Sequence, residues 1–135
     1  MTDWSKIKIL MGYADHVPHA ISALNAKAEE ERDKAYWRLD NNVIVQGGLF
    51  EAAYYVIEPV IVLLEQPYTV DRFRPLTLLA EISLGSNQED LMEDGRTVEQ
   101  ACQDKLRELK SRIELIETCT AREQEEKETI LENII

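Results

Sequence analysis

The run Leu49-Phe50-Glu51-Ala52-Ala53-Tyr54-Tyr55-Val56-Ile57-Glu58-Pro59-Val60-Ile61-Val62-Leu63-Leu64-Glu65-Gln66 decides the fold class. Phe50, Ala53, Tyr54, Ile57, Ile61 and Leu64 recur at the helical period, and Val56, Val60 and Leu63 widen the stripe. An apolar face this broad belongs to a central helix that neighbours touch on more than one side. Pro59 sits inside it, removes one backbone hydrogen bond and crowds the carbonyl of Tyr55, so a kink is expected. Pro67 stops the helix.

Working outward, helical signals continue in both directions. Upstream, a helix begins within Ala28 to Arg32, its acids at the end where the macrodipole favours them. Ala35, Leu39 and Val43 mark its buried side, and Gly47-Gly48 ends it in the position of a C-cap glycine. Before it, Asp15 is the expected N-cap of a first helix, with Pro18 in its first turn. Val17, Ile21 and Leu24 share a face of that helix, which ends near Ala26. Downstream, a fourth helix covers about Asp71 to Leu84 and is closed by Gly85, followed by an acidic loop from Ser86 to Gly95. Thr97 with Gln100, and Thr120 with Glu123, are capping-box patterns that open a fifth helix and a last one from Ala121 to about Asn133. Thr118 to Thr120 is the expected break between them, although a single long helix fits the same residues.

The expected fold is therefore all-α, about six helices in three antiparallel pairs, forming one domain over residues 1–135. Composition agrees: in 135 residues there are only five glycines and four prolines, too few for a turn-rich β protein. The spacing of the pairs is about that of a HEAT or armadillo unit.

Charge limits the partners. The net charge is −11, with 26 acidic residues against 15 basic ones. Nucleic acid and anionic membrane surfaces need the opposite sign, so neither is expected as a partner. A basic protein partner is favoured, because such a field speeds encounter, although charge of this kind also simply keeps a protein soluble. The start of the chain lacks a basic stretch followed by an apolar one, and the apolar run Val56 to Leu64 is too short to span a bilayer. Cys102 and Cys119 fall in helix-like sequence and read as small hydrophobes in a reducing compartment, which makes the cytoplasm the expected location.

From Tyr36-Trp37-Arg38-Leu39 through Val45-Gln46-Gly47-Gly48-Leu49-Phe50 to Glu58-Pro59, the chain resembles bacterial HEAT-repeat-like domain proteins. In these a Gln-Gly segment precedes a broad apolar helix with an internal proline. His16-Val17-Pro18 and the Leu76 to Gly85 stretch fit the same pattern, so the resemblance covers about residues 15–86. Residues 87–135 match only as further helices, which lie at about 97–135. The chain departs from the pattern in carrying Val45 where related sequences often have histidine. The resemblance implies a short right-handed stack of antiparallel helix pairs, a HEAT-like α-solenoid. It also implies kinship with toxin-immunity proteins, which are encoded beside secreted toxins.

No residue pattern demands catalysis. His16 and His19 could share a helical face, but metal binding would need further ligands, and a solvated histidine pair is the simpler reading. Ser83 lacks the strand-to-helix turn of a nucleophile elbow, and neither cysteine has a histidine arrangement nearby. Tyr36, Trp37, Tyr54 and Tyr55 surround the Gln-Gly segment; aromatics can anchor interfaces but more often fill cores. Gln46 is expected to satisfy backbone groups at the helix junction. Glu123 and Lys127 are spaced for a favourable i,i+4 pair.

The expected function is that of an immunity protein, not an enzyme, which neutralises a cognate basic toxin such as a nuclease by occluding it. No cofactor and no metal are expected. The candidate contacts are the acidic loop, with Glu89, Asp90, Glu93 and Asp94 around Leu91 and Met92, and the groove beside Asp40, Asn41 and Asn42. The acidic loop lacks the spacing of a calcium loop and also reads as a solvated loop. A non-inhibitory adaptor, or an enzyme with a site of dispersed acids, are the alternatives.

Overall fold

The computed structural model describes residues 2–87 and 91–134. Among them are seven helices: α1 (Val17–Ala23), α2 (Glu29–Val43), α3 (Glu51–Leu64), α4 (Phe73–Leu84), α5 (Val98–Glu108), α6 (Lys110–Glu114) and α7 (Ala121–Glu132). The chain is mostly helical, as its periodicity implies. The expected fifth helix is divided at Leu109, where φ is −98° and ψ 8°, and both Leu109 and Ile113 stay in the core.

The caps explain the boundaries. Thr97 Oγ1 accepts from the Gln100 N–H, and Thr120 Oγ1 accepts from the Glu123 N–H. Glu123 completes the second cap by accepting from the Cys119 N–H at 2.7 Å. It does not pair with Lys127 as its spacing suggests. Lys127 Nζ instead donates to the carbonyls of Glu114 and Ile116, where the end of α6 has no helical donors left. Asp71 Oδ1 accepts from the N–H groups of Phe73 and Arg74 and so starts α4. The Asp15 carboxylate does not cap α1. His16 occupies the cap position without a side-chain bond, and proline in the first turn preorganises the helix.

A small sheet corrects the all-helical expectation. β1 (Ile44–Val45) pairs antiparallel with β2 (Gly48–Leu49), and β2 pairs parallel with β3 (Ser86–Asn87). Gly47-Gly48 is therefore no helix cap, because α2 already ends at Val43. Gln46 and Gly47 form a two-residue hairpin turn with φ of +51° and +80°, the backbone signature of a type I′ turn. Gln46 is exposed at this tip and serves no helix junction. The sheet ties the ends of α2 and α4 to the start of α3.

Helix α3 packs between α1 and α5, and α4 packs between α2 and α7. Across these rows α1 meets α2 and α3 meets α4. One continuous cluster of buried side chains draws on every helix. In α3 it takes Ala52, Ala53, Val56, Ile57, Val60, Ile61 and Leu64, which accounts for the width of the stripe. Arg32 Nη1 donates to the carbonyls of Ala26 and Lys27 and closes the α1–α2 connection. Cys102 is buried in α5, whereas Cys119 lies exposed in the connection before α7, outside any helix. Among the described residues, no helix is long and apolar enough to cross a membrane.

Candidate binding groove

Helix α3 buries one side and leaves the other open. Tyr54, Tyr55, Glu58, Pro59, Val62, Leu63 and Gln66 line that other side, facing Pro18, Ile21 and Ser22 of α1. Trp4, held in a short helical turn over Trp4–Lys6, and Lys105 of α5 also line the groove. The space enclosed is about 820 Å³, large enough for several side chains of a partner. The aromatic rings are fixed against one another. Tyr55 meets Trp4 edge-on at 6.4 Å and Tyr54 at 5.0 Å between centroids.

The groove has a charged flank and an acidic hollow beside it. Lys105 Nζ lies 3.7 Å from Glu58 and 5.7 Å from the centre of the Tyr54 ring. Arg112 binds Glu65 through two nitrogens and Glu58 through a third contact at 3.1 Å, tying α6 to α3. The same guanidinium holds the Glu65 carboxyl below the usual carboxylate range. Beside the groove, sharing Tyr55, lies a smaller hollow bordered by Asp3, Lys6, Glu51 and Glu93. Burial pushes the Tyr55 phenol up, and the charges of Glu51 and Glu93 add to the shift.

The sequence-derived candidates do not form one site. Glu89 and Asp90 lie outside the described residues. Glu93 is exposed and borders the acidic hollow beside the groove. Asp94 is committed locally: it accepts from the Arg96 N–H at 3.0 Å and from Arg96 Nε at 2.8 Å. The backbone N–H of Arg96 leads in holding its carboxyl below the usual range. Asp40 points elsewhere, toward α4, where it shares a hydrogen bond with Glu81. Asn41 is exposed, and Asn42 Nδ2 donates to the Arg38 carbonyl at 2.6 Å. Glu93 thus belongs to the row of α1, α3 and α5, and Asp40 to that of α2, α4 and α7.

Around Asp40 lies a second polar cluster that spacing did not reveal. The Tyr36 hydroxyl donates to Glu81, and Glu126 of α7 is close enough to act on both. Burial first, then the hydrogen bond with Asp40, pushes the Glu81 carboxyl up to about 8. Glu81 thus keeps its proton to a higher pH than a free carboxyl does. His16 is shifted down by burial and by Arg38, and His19 borders a hollow beside Lys34 and Arg38. Among the described residues, no three His, Cys, Asp or Glu side chains gather closely enough to hold a metal ion.

Trp4 is the groove residue that sequence reasoning missed, whereas Tyr54 and Tyr55, weighed as interface anchors, read more readily as core. Trp4 falls in a stretch without periodicity, and the tyrosines sit on a helix apolar on nearly every side. No family model, curated protein or solved structure matches this chain.

Proposed function

We propose that this chain is a short HEAT-like stack of helix pairs that binds a protein toxin in the cytoplasm and neutralises it by occlusion. The observation that carries the reading is the side-by-side packing of α1, α3 and α5 in one row and of α2, α4 and α7 in the other. Stacked pairs of this kind bury a continuous core and leave long helix faces free to meet a partner by shape. The net charge of −11 fits a basic partner such as a nuclease, whose encounter it would accelerate. Of the candidate contacts, Glu93 and Asn41 are exposed and free to take part, whereas Asp94 and Asn42 are engaged within the fold.

Co-expression with the toxin-like product of an adjacent gene tests this. The two chains should co-purify, and growth stopped by the toxin should be restored. A stable complex in which the partner keeps its full activity would favour a non-inhibitory adaptor. Growth arrest that persists with the protein present, without any complex, would sink both readings.

A further inference from the structure

We infer that the groove between α1 and α3 receives an amphipathic helix of a partner protein, apolar along one face and basic at one end. The inference rests on the reading of this chain as a protein binder and names its surface and the chemistry of its occupant.

Two features point to that occupant. Along α3 the groove is apolar and aromatic, with Trp4, Tyr55, Ile21, Val62 and Leu63 spread over about two helical turns. Val62 is 44% exposed, too open for a side chain whose role is to fill the core. Such a trough fits residues spaced i, i+4 and i+7 on a docked helix. At Tyr55 the trough adjoins a hollow bordered by Asp3, Glu51 and Glu93, and among the described residues lining it Lys6 is the one base. Lys6 is itself 3.8 Å from Asp3. The surplus of negative charge there complements Lys or Arg on the partner. On the flank, Glu58 is already matched by Lys105 and Arg112, so it adds no demand for a cation.

The test uses fluorescent helical peptides of about sixteen residues, with leucines at i, i+4, i+7 and i+11 and three lysines in the first or the last turn. Controls carry glutamates in place of the lysines. One lysine peptide should bind the full chain in an anisotropy titration, and its glutamate counterpart should bind at least about tenfold more weakly. Val62→Glu, and separately the uncharged Val62→Gln, should each weaken binding; Glu93→Lys should weaken it and reduce its salt dependence. The proposal is overturned if neither lysine peptide binds, if the glutamate peptide binds equally well, or if these substitutions leave affinity unchanged. It is also overturned if sedimentation finds a dimer that Val62→Glu converts to a monomer, because a second copy would then fill the groove. A toxin neutralised equally by the wild type and by both Val62→Glu and Glu93→Lys would refute the groove and leave the proposed function standing. Peptide binding by a wild-type protein that neutralises nothing would do the reverse.

Discussion

At Gly85 a β-carbon would lie 2.6 Å from Cγ and Cδ2 of Leu49, closer than real atoms approach. Its φ of −70° suits any residue, so what the position requires is space and not conformational freedom. Leu49 is fully buried and cannot withdraw without opening the sheet. Gly85→Ala should therefore destabilise the fold by about 1–3 kcal/mol, read as a lower urea midpoint at unchanged slope. An unaltered midpoint would contradict this packing. Asp71 is the second residue on which much converges. Its carboxylate caps two N–H groups of α4, accepts from Arg74 Nη1 at 2.6 Å and lies 3.5 Å from Arg32 Nε. Asp71 and Arg32 are only 10% and 12% exposed, so removing the acid strands buried cations. Asp71→Ala should cost about 2–4 kcal/mol, and Asp71→Asn, which keeps a capping oxygen, distinctly less. Equal losses for the two variants would show that the charge alone matters.

At the scale of elements, the hairpin between α2 and α3 offers a stabilising substitution. Gln46 holds φ at +51°, which costs a side-chain-bearing residue about 1 kcal/mol or more, and its exposed side chain sits at the tip of the turn. Gln46→Asn creates the Asn-Gly pair that type I′ turns favour and should raise stability by about 0.5–1 kcal/mol, measured by urea unfolding. A loss of stability would show that Gln46 has contacts of its own. The same hairpin marks the limit of what the sequence makes legible. The long helices could be read because periodicity accumulates over many residues, and the breaks at Thr97 and Thr120 because their caps are local. Strands of two residues have no period, and Gly47-Gly48 reads equally well as a helix stop. The available signal was the pair Gln46-Gly47 flanked by Ile44-Val45 and Leu49. The groove was hidden for a different reason. When nearly every face of α3 is apolar, spacing alone does not separate the tyrosines that line an opening from those that fill a core. The acidic loop and the Asp40 region were visible as charge, but only the fold reveals that they face different rows of helices.

For the whole molecule, the acid cluster between α2, α4 and α7 gives stability an unusual pH dependence. The folded Glu81 carboxyl, raised from 4.5 to about 8, keeps a proton that the unfolded chain releases near 4.5. Between these values the folded state binds more protons, so stability falls as pH rises. The contribution is complete below 4.5 and is lost as pH passes through about 8. Glu126 is also raised, by burial and by Glu125, and acts in the same sense. His16 is lowered from 6.5 and acts in the opposite sense near and below that value. Asp3, Asp94, Asp104 and Glu65 are all held below their ordinary values, so their contribution is lost only on strong acidification. Urea unfolding at pH 5, 6.5 and 8 should therefore show decreasing stability, and Glu81→Gln should flatten the decline because an amide has no proton to lose. The substitution also keeps an oxygen to accept from Tyr36 and an N–H to donate to Asp40, so it tests the proton and not the hydrogen bonds. A Glu81→Gln protein with the same decline as the wild type would place the titrating group elsewhere, Glu126 being the next to replace.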